Sequence, residues 1–288
     1  MQDRIATVSQ VVAFRRDGFV VLPDLLSGDE RERFGALVDA AVARRKRGET
    51  RPLSERTPYE QSFLQCINLW EDVPALRALT FHPRIAQAAA ELLGVPRLRL
   101  WHDQALYKEA GGRETDPHQD QPYWPIAETR TITAWIPFDG STREAGAMGY
   151  LAGSHAVGLR KFQNIFFADD PRKLLGEPAL AGMTPTWVEV PPGGVAFHHG
   201  LTVHLAGPNA SPRTRRVHTM IYFADGAARG SRLPHFAVDR MGIGVGEPIA
   251  SALTPIAWPR AAGDWPEPPP LPARDVSRGT LPSEETVR

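Results

Sequence analysis

From about residue 97 onward, turn residues cut the chain into short β-prone runs, and this punctuation most constrains its fold. Arg97 to Tyr107, Thr129 to Phe138, Thr186 to Val190, Val195 to His198, Thr202 to Leu205 and Arg216 to Phe223 all read as strands. Asp139-Gly140, Pro192-Gly193-Gly194 and Gly207-Pro208-Asn209 separate several of them. With 25 glycines and 27 prolines in 288 residues, many short strands are favoured over a helical bundle.

The first third has a different texture. Ser9 to Arg16 places Val11, Val12 and Phe14 at helix-compatible spacing before Gly18, a stop signal. Gly18 to Pro23 reads as a short strand. Ser27 followed by Glu30 has capping-box spacing, and Phe34, Leu37, Val38 and Ala41 continue it, so one amphipathic helix is predicted over 28–47. A further helix is predicted from His82 to Leu93, with Pro83 at its first position and Gly94 just past its end. The expected class is mainly β (α+β): a barrel over about 97–225 with flanking N-terminal helices over about 9–94. All of it is expected within a single domain spanning 1–264, since barrels of this length are often one domain. The proline-rich stretch from Trp265 to Pro272 predicts extended chain, and 265–288 as a whole is expected to be a disordered tail.

Charge narrows the function. Lys plus Arg and Asp plus Glu are both 33, so the formal net charge is 0, without the basic bias of a nucleic-acid-binding domain. No apolar run approaches the ~20 residues of a membrane span. The start, MQDRIATVSQ, lacks a secretory pattern. Cys66 is the one cysteine, which rules out an internal disulfide framework. The expectation is a cytoplasmic protein, monomer or homodimer, with a small-molecule substrate and neither nucleic acid nor membrane as partner.

Three motifs carry chemistry. In Pro117-His118-Gln119-Asp120, residues two apart on extended backbone point to the same side, so His118 and Asp120 can offer a nitrogen and an oxygen to one metal ion. Alone, such a triplet is common and reads more readily as two polar loop residues. His204, on a strand bracketed by turns, completes a two-His, one-carboxylate set that leaves positions open and suits non-haem Fe(II) oxygen chemistry. Arg215 then opens a strand whose face also carries Val217, Thr219 and Ile221. A guanidinium on an apolar inward face needs an anionic partner, and arginine suits bidentate carboxylate binding.

With Thr133-Ala134-Trp135-Ile136-Pro137-Phe138-Asp139, Gly146-Ala147-Met148, Gly153-Ser154-His155 and Pro191 to His198 added, the chain resembles the phytanoyl-CoA dioxygenase family over roughly residues 10–225. These are Fe(II)- and 2-oxoglutarate-dependent oxygenases. The resemblance implies a double-stranded β-helix, a jelly-roll (cupin-like) barrel. It implies that His118, Asp120 and His204 hold the iron, and that Arg215, eleven residues beyond His204, pairs with the distal carboxylate of 2-oxoglutarate, with Trp135 beside it. O2 is the second cosubstrate, and succinate and CO2 are released. The implied reaction is hydroxylation of an unactivated C–H bond. Desaturation, cyclisation and epoxidation share the scaffold, and a ligand-binding jelly roll without turnover is a rival from another class. Asp120 speaks against halogenation, because halogenating relatives carry a small residue there.

One departure stands out. Relatives often read His-Gly-Ser-Gly where this chain reads His204-Leu205-Ala206-Gly207, so Ala206 offers no hydroxyl to the cosubstrate. Thr133, Tyr107 and Lys108 are the expected replacements. The family pattern makes His198 and His155 structural rather than ligands. Gln104, Trp124, Met148 and Tyr150 are candidates for the substrate pocket, and the segment from Phe162 to Pro171 is a candidate lid.

Overall fold

A computed structural model describes residues 3–162, 173–261 and 263–270. The expectations for the lid segment beyond Phe162 and for the tail beyond Pro270 therefore lie outside the described residues.

Local capping sets the N-terminal frame. Helix α1 (Val8–Asp17) starts with a capping box between Thr7 and Gln10. It ends at Gly18, whose φ of 82° is left-handed and whose N–H donates to the Phe14 carbonyl. A side chain at Gly18 would also collide with Thr202 Oγ1 and the His155 ring, so the turn into strand β1 (Phe19–Leu22) needs glycine on two counts. Helix α2 (Gly28–Arg45) has the Ser27–Glu30 box expected of it. Short elements follow: α3 (Pro58–Ser62), β2 (Leu64–Ile67), α4 (Leu69–Asp72) and α5 (Arg77–Thr80). Helix α6 (Pro83–Leu93) closes the flank at Gly94.

The barrel strands are β3 (Leu98–Lys108), β4 (Thr115–His118), β5 (Thr131–Pro137), β6 (Met148–Leu151), β7 (Pro185–Val188), β8 (Val195–His199), β9 (His204–Ala206) and β10 (Arg215–Ala224). Helix α7 (Phe236–Asp239) and strand β11 (Ile256–Trp258) follow. Two antiparallel sheets result. The larger runs β1-β8-β5-β10-β3-β11, with β2 also on β3, and the smaller runs β4-β9-β6-β7. This is the jelly-roll barrel with a helical flank that the resemblance implies.

Alternation sorts the larger sheet's side chains. One face carries Ala105, Tyr107, Ile132, Ala134, Ile136, Phe197, Met220 and Tyr222, packed with Phe14, Phe34, Val38, Ile85 and Leu92 of α1, α2 and α6 into the main apolar core. The other face puts Trp135, Ala196 and Val217 against Met148, Tyr150 and Ala206 of the smaller sheet, forming the barrel interior. Ordered structure runs past the expected end of the barrel at about 225. Strand β11 pairs with β3, Trp265 packs on the main core, and Arg77 bonds Glu267.

The flank is pinned to the barrel by one carboxylate. Asp103 on β3 is fully buried and accepts from the Leu69 and Trp70 N–H groups at 2.8 and 3.2 Å and from Thr80 Oγ1 at 2.7 Å. Removing it strands three buried donors, each worth ~1–3 kcal/mol when unsatisfied. We expect Asp103→Ala to lose about 3 kcal/mol or more in chemical denaturation; a loss below about 1 kcal/mol would refute this anchoring role.

Candidate active site

His118 ends β4, and β4 pairs with β9 so that His118 lies directly opposite His204. Asp120 reaches the same point by a route different from the extended backbone expected of it. The strand stops at His118, and Asp120 takes a helical conformation (φ −74°, ψ −40°) at the start of the turn Gln121–Tyr123. The Gln121 N–H donates to the Gly200 carbonyl at 3.0 Å, which ties that turn to the loop after β8. The ligand atoms of His118, Asp120 and His204 all lie within 4.8 Å of one another. Asp120 Oδ1 stands 3.8 Å from His118 Nε2 and 3.7 Å from His204 Nε2.

Hydrogen bonds aim each group. His118 Nδ1 lies 2.7 Å from the Asp116 carbonyl and His204 Nδ1 3.0 Å from the Thr202 carbonyl. A carbonyl only accepts, so both Nδ1 atoms carry the hydrogen and both Nε2 lone pairs face Asp120. Burial pushes both imidazoles below their ordinary values, which keeps them neutral, the form that binds a metal. Asp120 Oδ2 is turned away from this centre. It accepts from Thr133 Oγ1 at 2.9 Å and from His198 Nε2 at 3.1 Å. Burial opposes ionisation of Asp120, but the surrounding histidines, with His198 donating to Oδ2, favour the carboxylate and hold it below the usual range. Tyr150 supports His198 in turn, with its hydroxyl 3.4 Å from His198 Nδ1. Two neutral nitrogens and one carboxylate oxygen, each braced from behind, are the donor set of a non-haem metal centre.

A second polar site lies along the larger sheet. Arg215 is 5% exposed, bonds the Gly146 carbonyl, and stands 5.2 Å from the Trp135 ring centre. Its Nε has no partner, and neither does Thr219 Oγ1 on the same face of β10. Lys108 faces Arg215 across the β3–β10 pair and is fully buried. No carboxylate pairs with either cation among the described residues. An orphaned guanidinium in an apolar barrel fits an anionic ligand.

The other expected residues divide. Thr133 is beside the candidate metal ligands, committed to Asp120. Tyr107 does not face the barrel interior, a correction to its expected cosubstrate role: its hydroxyl donates to Asp39 of α2 at 2.5 Å, because odd-numbered β3 positions there turn toward the helices. Met148 and Tyr150 line the barrel interior. Trp124 packs instead with Trp101, Ile221 and Phe223 in a separate apolar cluster. Gln104 accepts from Gln65 Nε2 at 2.6 Å, and Gln65 accepts from the Tyr59 hydroxyl at 3.0 Å.

Sequence reasoning missed Tyr59, Phe63 and Tyr123, which form an aromatic group whose Tyr123 lies edge-on to His118 at 6.1 Å. It also missed Thr115, opposite Ala206 in the β4–β9 pair. Thr115 meets Ala206 only through strand pairing, Tyr59 and Phe63 come from helix α3 and its end, far from the site in sequence, and Tyr123 lies in the turn just after Asp120.

The comparisons with known proteins agree with this geometry. Residues 14–217 match the phytanoyl-CoA dioxygenase (PhyH) family, and the chain belongs to it. A probable alpha-ketoglutarate-dependent hypophosphite dioxygenase of Stutzerimonas stutzeri is 26% identical over 62% of this chain and 60% of its own length. The chain thus spans little more than half the length of that and several other curated relatives. The non-haem alpha-ketoglutarate-dependent carbocyclase SnoK from nogalamycin biosynthesis is 28% identical, with a TM-score of 0.73 over 87% of this chain and 96% of its own. The epimerase SnoN, solved with Fe3+, alpha-ketoglutarate and nogalamycin RO, is 26% identical, with a TM-score of 0.69 over 86% and 97%. No helix among the described residues is long and apolar enough to cross a membrane.

Because Asp120 is aimed by two donors, we expect the double variant Thr133→Val/His198→Phe to bind Co(II) roughly 10–100-fold more weakly. Anaerobic titration followed by absorbance measures this, and unchanged affinity would remove both residues from the site's design.

Proposed function

We propose that this protein is an Fe(II)- and 2-oxoglutarate-dependent dioxygenase that hydroxylates a C–H bond of a small organic metabolite in the cytoplasm. The observation that carries the reading is the pairing of one buried His118/Asp120/His204 donor set with one buried, unpaired Arg215 guanidinium in the same barrel. Iron(II) with 2-oxoglutarate and O2 supplies oxidative decarboxylation to succinate and CO2 and the removal of a hydrogen atom from the substrate.

The chain's own residues do the rest. His118, Asp120 and His204 would hold the metal on one side, leaving the opposite side open. Thr133 and His198 keep Asp120 in a single orientation. Arg215 would bind the distal carboxylate of the cosubstrate, with Trp135 against it. Thr219 and Thr115 are the hydroxyls nearest in register to that seat, in place of the one Ala206 lacks. Gln104, Met148 and the Tyr59, Phe63 and Tyr123 group would present the substrate, in surroundings that favour an uncharged, ring-bearing molecule over an acyl-CoA.

A second outcome has specific support. Two solved relatives, 28% and 26% identical, are a carbocyclase and an epimerase, so ring closure or epimerisation of such a substrate is the competing reading. Product mass separates the three: gain of one oxygen, loss of two hydrogens, or no change.

Anaerobic Fe(II) and 2-oxoglutarate should give the visible charge-transfer band of the chelate in the wild type. His118→Ala should abolish the band, and Arg215→Ala should weaken 2-oxoglutarate binding about 30-fold or more, the loss expected when a buried charge pair is cut. Asp120→Ala should stop succinate release. A folded wild type without the band would instead support a ligand-binding jelly roll.

A further inference from the structure

Two buried basic side chains sit side by side in this barrel, with no anionic group between them among the described residues. Lys108 and Arg215 are directly paired across strands β3 and β10, on the face that looks inward. In an antiparallel pair, side chains so placed are near neighbours, and like charges there repel. The Lys108 amine donates to the Arg113 carbonyl at 2.5 Å and reaches Thr115 Oγ1 at 3.4 Å. Both acceptors are neutral. The stem is confined as well: its Cδ lies 3.2 Å from where a Cβ on Gly146 would stand, and Gly146 is the residue whose carbonyl holds Arg215.

The charged groups around the amine are few. Arg215 faces it from β10, Arg113 and Glu114 from the turn before β4, and Asp116 from β4 itself. Asp116 is already committed to Arg113 at 3.0 Å. The nearest cations therefore oppose a charge on Lys108 more directly than any carboxylate supports it. Burial first, then Arg215 and Arg113, push the amine down to about 6.

We infer that the barrel takes up one proton from solvent together with its dicarboxylate cosubstrate, and that this proton comes to rest on Lys108 Nζ. The inference rests on the reading above, that 2-oxoglutarate is the cosubstrate and that its distal carboxylate enters beside Arg215. Arginine stays charged throughout. The lysine is the adjustable partner: neutral while its hydrogen-bond partners are a carbonyl and a hydroxyl oxygen, and an ammonium once a carboxylate lies against the pair. The balance is simple. One N–H bond forms at Nζ, one buffer acid loses its proton, and the seat then holds two positive charges against the entering anion.

The sign follows. Lys108 binds a proton more tightly with cosubstrate present than without it. Above about pH 6, and until the bound amine itself titrates, 2-oxoglutarate affinity falls as pH rises. A full proton corresponds to ~10-fold in Kd per pH unit.

The test is calorimetric titration of 2-oxoglutarate into the Mn(II)-loaded protein under argon. It is run at pH 7.5 in PIPES, HEPES and Tris, which differ in ionisation enthalpy. In the wild type, the observed heat should vary with buffer enthalpy with a slope near one proton taken up, and Kd should rise ~10-fold from pH 7 to pH 8. Lys108→Arg, which cannot release its charge, and Lys108→Met, which has none, should both give buffer-independent heats. Lys108→Met should bind more weakly than Lys108→Arg. Binding by the wild type with no buffer dependence overturns the proton uptake and leaves the cosubstrate reading standing. Buffer dependence that survives in the folded Lys108 variants places the proton elsewhere and also overturns it. No binding by the wild type removes the cosubstrate reading and the inference with it.

Discussion

An apolar barrel that encloses charge must supply each charge with a partner, and this requirement organises the protein. Asp120 is the sharpest case. Inside the barrel an isolated carboxylate would pick up a proton, and a protonated acid is a poor metal ligand. His198 and Thr133 donate to one of its oxygens, and the two histidine ligands approach the other. Tyr150 backs His198, and Phe19 stacks on Tyr150 with ring centres 4.5 Å apart. The first strand of the chain is thus coupled to the candidate metal ligands through packed rings and hydrogen bonds.

The same requirement governs the other face of the larger sheet. Asp103 is as buried as any residue here, yet it answers to backbone and hydroxyl donors of the helical flank. It sits on β3 between Gln104 and His102, whose side chains turn into the barrel. One strand therefore carries a structural carboxylate outward and functional groups inward. The flank is held in place by the strand whose opposite face lines the site.

Arg215 and Lys108 invert the pattern. They are charges, actual or potential, with no anionic partner among the described residues. An orphaned Nε on Arg215 and an orphaned Oγ1 on Thr219 mark the space that a ligand's oxygens would fill. A buried guanidinium without an anionic partner in a low dielectric is suited to an anionic ligand.

Much of this was legible in the sequence, for local reasons. Ser27 with Glu30 starts a helix, and Gly18 and Gly94 stop helices, through contacts three or four residues apart, so the helices at 8–17, 28–45 and 83–93 could be read to within a residue or two. The strands at 98–108, 131–137, 195–199 and 215–224 show in their apolar alternation. Strand β4 did not, because Thr115–His118 is spent on polar residues that serve the site and carries no such alternation. Tyr107 and Lys108 are neighbours, and only the sheet's orientation decided which one faces the barrel. The sequence by itself determined the helix ends, the class of the fold and the types of side chain that could bind metal and carboxylate. Tertiary structure alone decided that Asp120 reaches His118 by a turn, that Thr115 lies opposite Ala206, and that Lys108 faces Arg215. The last two relations join residues roughly a hundred positions apart, and strand register, which sets them, is a property of the paired sheet and of no single segment.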